Sequence, residues 1–229
     1  MSLRDELSER VEETFKRQWK TRQGTRVPKD EDVGLFNDAV ELEGTVLYAD
    51  LANSTTMVRE KSDQFAAEIY KTYLYCASRL IRDFEGTITA YDGDRVMAVF
   101  IGNSKNSDAA KCALKINYAV TKIINPAIAE QYGTGKYTVE QRVGIDSSDL
   151  FVARTGIRGS NDLVWVGDAA NNAAKMAALD TTYSSYITED VHDRLNRDSK
   201  YDGGTSMWTD LGKRELGYRI YGSNYHWGF

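Results

Sequence analysis

Residues 43–55 read Glu-Gly-Thr-Val-Leu-Tyr-Ala-Asp-Leu-Ala-Asn-Ser-Thr. The run from Thr45 to Asp50 is β-prone and ends on an acid. Asn53, Ser54 and Thr55 then supply side chains that cap helix N-termini by accepting from first-turn N–H groups. Strand, turn and helix start are therefore expected in that order. Residues 63–84 carry Phe65, Ile69, Tyr73, Leu74, Leu80, Ile81 and Phe84 at helical spacing, and Gly86 stops the helix. Next, Thr87–Tyr91 and Val96–Phe100 flank Asp92-Gly93-Asp94, an Asp-Gly hairpin signal. This β-α-β-β opening predicts an α/β (α+β) fold with a mostly antiparallel sheet flanked by helices, close to a ferredoxin-like core.

Downstream, the pattern predicts a helix over 107–124 that ends at Pro126, strands 138–145 and 149–153 as a pair, and a strand at 162–166. An Ala/Asn-rich helix from Gly167 to Leu179, a strand at 186–188, a helix at 189–195 and a terminal hairpin of 208–211 with 218–221 follow. Upstream, Leu7, Val11, Phe15 and Trp19 form one apolar stripe on an amphipathic helix over 3–21, which calls for a packing partner. Residues 24–32, with Pro28, read as a linker. The expected organisation is a helix and linker over 1–41, a main domain over 42–222 and a tail over 223–229.

With 41% hydrophobic and 28% charged residues among 229, and only two prolines, the chain is expected to fold rather than stay disordered. Its longest apolar run, Val96–Ile101, is far short of the ~18 residues of a membrane span, and residues 1–25 lack a signal-peptide core. No membrane partner and a cytoplasmic location are expected. Cys76 and Cys112 sit in apolar helical patterns and read as buried thiols. Two histidines exclude a His-rich metal site, so any metal must be held by carboxylates. A net charge of -5 speaks against a nucleic-acid polymer as partner and leaves room for a small polyanion.

Asp50 at a strand end and Asp94 at the neighbouring hairpin would bring two carboxylates together, with Asp92 close by. Their repulsion is offset most readily by Mg²⁺ or Mn²⁺, cations held by one or two carboxylates plus substrate phosphates. Hairpin-turn chemistry and a helix cap account equally for these residues taken alone. The N–H groups of Asn53, Ser54 and Thr55 form a seat for phosphates at the helix start.

Four segments in order resemble the catalytic domain of the class III nucleotidyl cyclases: Val46–Thr55, the Gly93–Phe100 hairpin, Arg142-Val143-Gly144-Ile145, and Val166-Gly167-Asp168-Ala169-Ala170-Asn171. The resemblance covers residues 42–222. It implies that Asp50 and Asp94 bind two metal ions, with the Leu51 carbonyl completing one shell. It places Asn171 as the ribose-orienting asparagine and Lys175 where the family carries a transition-state arginine. Lysine keeps the charge and loses the bidentate fork. Arg142 matches the arginine that reaches the terminal phosphates, and Lys213 the late lysine with the same task. The resemblance also implies a head-to-tail homodimer in which one subunit supplies the aspartates and the other the asparagine and its cationic neighbour.

Purine cyclases of this family read the base with a Lys three residues before the hairpin glycine and an Asp three residues before the later motif's glycine. Here those positions are Ala90 and Val164, which leaves a purine edge without its usual readers. Tyr91 and Trp165 stand beside them and would line a smaller pocket only if a strand shifted by one residue, since strict alternation aims them at the opposite face. Arg95, Asp146, Ser148 and Arg154 are further departures. The pattern is similar to the pyrimidine cyclases of bacterial Pycsar anti-phage systems. That implies UTP or CTP as substrate, UTP favoured, and a cyclic product sensed by a separate effector protein. A purine cyclase with an unorthodox pocket, and a cyclase-like domain that only binds nucleotide, remain as alternatives.

Overall fold

The computed structural model describes residues 2–179, 182–213 and 216–229. Its elements in chain order are α1 (Leu3–Lys16), β1 (Lys20–Gln23), β2 (Asp38–Leu51), α2 (Ser54–Glu60), α3 (Asp63–Asp83), β3 (Thr87–Asp92) and β4 (Arg95–Phe100). Then come α4 (Lys105–Ala119), a π-helical stretch (Val120–Ile124), α5 (Asn125–Tyr132), β5 (Gln141–Ile157), β6 (Ser160–Val166), α6 (Asp168–Ala177) and β7 (Ser185–Thr188). The chain ends with α7 (Glu189–Arg194), α8 (Arg197–Lys200), β8 (Tyr201–Asp202), β9 (Thr205–Ser206), β10 (Thr209–Asp210) and β11 (Ile220–Ser223). Its contacts gather into two compact units, residues 44–148 with 168–229, and residues 1–43 with 149–167.

In the larger unit the strand order is β10-β11-β7-β5-β2-β4-β3. Pairing is antiparallel between β2 and β4, β3 and β4, β7 and β11, and β10 and β11, and parallel between β5 and β7. Alternation sorts the side chains of β2 and β4. Leu47, Ala49, Val96 and Ala98 are buried in the core with Ile69, Tyr73, Ala77 and Ile81 of α3 and Ala109 and Ala113 of α4. Tyr48 opposite Met97 and Asp50 opposite Arg95 occupy the other face.

Two expectations change here. Residues 138–145 and 149–153 are not a strand pair: 141–157 is one strand. The polar stretch that read as a turn is pinned instead, because Asp146 accepts from Thr188 (2.6 Å) and Asn172 (2.8 Å), and the Ser147 hydroxyl donates to the Gly44 carbonyl (3.3 Å). Nor does Pro126 end the helix begun at Lys105. The wider turn at 120–124, with the Asn125 N–H bonded to the Val120 carbonyl, opens the backbone just before the proline, which then occupies the first turn of α5.

Helix α6 sits directly on β5 at Gly144. A Cβ there would lie 2.1 Å from the Ala173 carbonyl oxygen and 2.8 Å from the Ala177 nitrogen. Backbone cannot yield as a side chain can, so Gly144→Ala is expected to cost about 2–3 kcal/mol, seen as a fall of roughly 5–10 °C in thermal denaturation. An unchanged melting temperature would mean that α6 does not approach β5 this closely.

In the smaller unit β1 runs parallel to β2 at 20–23 and 38–41, and β6 pairs antiparallel with β5 at 160–166 and 151–157. The stretch expected as a bare linker, 24–32, contains a 3-10 turn at Asp30–Asp32, and β1 begins at Lys20, within the end of the stretch expected as helix. Helix α1 ends at Lys16, earlier than expected, because the Asn37 amide caps its last turn by donating to the carbonyls of Thr14 (2.9 Å) and Arg17 (2.7 Å). Trp19 lies beyond the helix, edge-on to Phe151 at 5.0 Å. Of the stripe that called for a partner, Leu7, Val11 and Phe15 stay exposed, and α1 buries no side chain.

Candidate active site

Asp50 is the last β2 residue in register with β4, and Tyr73 Oη donates to its carbonyl at 3.4 Å. Asn53, three residues on, adopts a left-handed backbone (φ 60°) and turns the chain into α2, without a side-chain capping bond. Gly93, also left-handed (φ 61°), makes the β3–β4 turn and sets Asp94 beside Asp50. Burial pushes the Asp50 carboxyl up to about 6; Arg95 pulls it down and the Asp94 charge pushes it up further. Asp50 Oδ1 is buried and has no hydrogen-bond partner; its nearest cation is Arg95 Nε at 3.8 Å. Arg95 Nε also lies 4.0 Å from the exposed Asp92.

An orphaned, desolvated carboxylate oxygen beside a second acid is the donor set a divalent cation fits. Among the described residues no three His, Cys, Asp or Glu side chains cluster as a ready-made metal cage. Asp50 and Asp94 are a pair that leaves the remaining positions to backbone oxygen and substrate phosphate.

The β3–β4 register shifts between Ile88 and Ala90, so Thr89 is an extra residue and Ala90 stands opposite Met97. Ala90 and Asp92 consequently share a face with Met97 and Arg95, and through β4 with Tyr48 and Asp50. Tyr91 is on the other face with Val96, and its hydroxyl shares a hydrogen bond with Ser78 of α3 at 2.9 Å. It does not stand with Ala90. Tyr48 received no role from the sequence. Period-two counting back from Asp50 would have found it: the phenol is half-buried, with Arg95 and Asp92 as charged neighbours, and burial holds its pKa above the usual value. In the smaller unit, Val164 is exposed on β6 opposite Ala153, while Trp165 pairs with Val152 on the opposite, half-buried face.

The Ala52 N–H donates to the Glu140 carbonyl at 2.9 Å, which ties the turn after Asp50 to the start of β5 and to Arg142. Arg142 Nη1 donates to the Gln141 carbonyl (2.9 Å), and Nη2 lies 3.6 Å from Glu140. Lys213 is exposed after the left-handed Gly212 (φ 69°). On α6, the Asn172 amide turns inward to Asp146 and Ala169, Ala173 and Met176 are buried. That orientation leaves Asn171 and Lys175, four residues apart, exposed together. Among the described residues no hydrogen bond or ion pair joins either of them to Asp50 or Asp94. The structure brings together Asp50, Asp94 and the start of β5, and presents Asn171 with Lys175 as a separate pair.

The sequence profile of the adenylate and guanylate cyclase catalytic domain matches residues 41–218. The chain belongs to that family. Class III cyclases use divalent metal ions and act on nucleoside triphosphates. This cyclase is 52% identical to a Burkholderia cepacia protein named uridylate cyclase and 49% identical to one of Xanthomonas perforans with the same name, each match covering 99% of both chains. A bacterial light-regulated adenylyl cyclase structure superposes with a TM-score of 0.68 at 19% identity, covering 80% of this chain and 91% of the other, and so shares the cyclase fold. No helix among the described residues is long and apolar enough to cross a membrane.

Proposed function

We propose that the chain is a uridylate cyclase that converts UTP to 3′,5′-cyclic UMP and pyrophosphate, with residues 42–222 as its catalytic domain. Full-length identity of about half to two uridylate cyclases carries this reading. The aliphatic side chains of Ala90 and Val164, where purine cyclases keep polar base readers, support it.

In the reaction the ribose 3′-oxygen bonds to the α-phosphorus, the bond from that phosphorus to the bridging oxygen breaks so that pyrophosphate leaves with that oxygen, and the 3′-hydroxyl proton passes to solvent. Asp50, Asp94 and the Leu51 carbonyl would hold two Mg²⁺ or Mn²⁺ ions. When bound, such ions acidify the hydroxyl and neutralise charge on the phosphates. Asn53, Ser54 and Thr55 line the phosphate end, and Arg142 and Lys213 neutralise the departing pyrophosphate. Asn171 orients the ribose, and Lys175 offsets charge that develops at the α-phosphate. The family resemblance gives each complete site Asn171 and Lys175 from a second copy in a homodimer, and the lack, among the described residues, of a hydrogen bond or ion pair joining them to Asp50 or Asp94 is compatible with that reading. The cyclic product acts in the cytoplasm as an anti-phage signal for a separate effector.

Supplying the purified protein with each of the four ribonucleoside triphosphates in Mn²⁺ or Mg²⁺ tests the assignment. Cyclic UMP with stoichiometric pyrophosphate is the expected product, and CTP, ATP and GTP are expected to react at least about tenfold more slowly, the scale a mismatched pocket gives. A faster purine reaction would overturn the substrate, and no product from any triphosphate would overturn the activity.

A further inference from the structure

We propose that a cleft at the start of β5 binds a nucleobase through the side-chain amide of Gln141. The cleft holds about 490 Å³, the scale of small-molecule sites, and lies entirely within the larger unit. Gln141 lines it and is 2% exposed, yet neither its Nε2 nor its Oε1 has a hydrogen-bond partner among the described residues. A buried amide left open at both atoms is costly, and a ligand that offers an acceptor and a donor side by side would offset that cost. The other amides around the cleft already hold its walls. Asn117 donates to the carbonyls of Asn224 and Tyr225 (both 3.0 Å), Asn125 pairs with the N–H (2.8 Å) and carbonyl (3.0 Å) of Val139, and Asn224 joins the Thr182 carbonyl to the Ser184 N–H (both 2.8 Å).

The chemistry of the lining selects the occupant. An amide presents N–H and C=O side by side, so it pairs with a planar edge that carries an acceptor next to a donor, as every nucleobase does. Val120 and Val139 supply apolar wall, and Val120 belongs to the π-helical stretch, a distortion that recurs at functional sites. The charged residues of the lining, Glu140 and Arg142, lie 3.6 Å apart and offset one another, which favours an uncharged ring over an anion. The cleft is distinct from the site of the aspartates. Alternation along β5 puts Gln141 on the face of Val143 and Ile145, which are buried in the core with α3 and α4. Asp50 stands on the other face of the sheet, opposite Arg95.

Side-chain amide NMR signals of the isotope-labelled, metal-free full chain test this, since nucleoside binding needs neither phosphate nor turnover. The Gln141 signal pair is assigned by its loss in Gln141→Met, which keeps the unbranched shape and removes both polar atoms; circular dichroism verifies folding. Each of the four ribonucleosides is titrated beside a counterpart methylated to remove the edge N–H. At least one unmodified nucleoside is expected to shift the Gln141 pair. Its methylated counterpart should bind at least about tenfold more weakly, because the Gln141 oxygen is then left unpaired. In equilibrium dialysis that nucleoside should bind Asp50→Asn as it binds wild type, and Gln141→Met at least about tenfold more weakly. No shift with any nucleoside would leave the cleft to water, and equal binding of the methylated form or of Gln141→Met would remove the pairing. Loss of binding in Asp50→Asn would place the base at the acidic pair instead. Any of these results overturns the proposal.

Discussion

Asp50→Asn is expected to lower the cyclisation rate at least ~10³-fold and yet raise the melting temperature of the metal-free protein at pH 8. The two effects share one cause. Burial beside Asp94 leaves the ionised Asp50 carboxylate under-compensated, since its Oδ1 has no hydrogen bond and Arg95 stops at 3.8 Å. Its folded pKa, about 6, lies above the ordinary 3.8. Below the ordinary value Asp50 is protonated in both folded and unfolded chains, and its protonated form favours the folded state. As pH rises through about 6 the folded chain must ionise it, and that stability is lost. The amide keeps the shape and removes the charge. Asp50→Asn should therefore melt a few degrees above wild type at pH 8 and level with it below pH 4. If Mn²⁺ binds the ionised folded form, as the proposed function requires, it should raise the wild-type melting temperature and leave that of Asp50→Asn nearly unmoved. Differential scanning fluorimetry across pH, with and without Mn²⁺, measures all three. A variant that melts below wild type at pH 8 would contradict the uncompensated charge.

The pairing of Asp50 with the hairpin is legible from sequence because every signal behind it is local: a β-prone run, a capping cluster, a helical period and an Asp-Gly turn within residues 43–100. What sequence does not display is decided by distant partners. Asp146, Ser147 and Ser148 look like a turn until Thr188, Asn172 and Gly44 supply the hydrogen bonds that keep β5 extended. The extra residue at Thr89, which aligns Ala90 with Asp50 and Arg95, carries no glycine or proline to announce it. Pro126 signals a stop, and only the π-helical stretch before it shows why the helix continues. For α1 the period is legible and the apolar face is real, but periodicity does not say whether the partner lies within the chain.

Mixing two inactive variants is expected to restore activity. Asp50→Ala removes the buried member of the acidic pair, and Asn171→Ala removes an exposed side chain on α6; each alone should turn over at least ~10³-fold more slowly than wild type. Neither change reaches the other's surroundings. Asp50 is bounded by Asp94, Arg95 and Leu51, whereas α6 is clocked by Asn172 on Asp146 and by the approach to Gly144. If each site takes its aspartates from one copy and its asparagine from the other, a heterodimer holds one site with both defects and one with neither. Random exchange makes half the dimers mixed, and each mixed dimer carries one intact site in two. Recovery should therefore approach roughly a quarter of wild-type activity at equal total protein, because separate, non-contacting sites contribute additively. The ratio dependence is sharper than the amplitude: activity should follow the product of the two mole fractions and peak at an equal mixture. A site built wholly within one chain would give no recovery at any ratio, with both variants folded and dimeric by sedimentation. Doubling Asp50→Ala and Asn171→Ala in one chain and mixing it with wild type extends the test. That mixed dimer would hold two sites with one defect each, and activity should fall with the square of the wild-type fraction. A self-contained site would instead lose activity only in linear proportion.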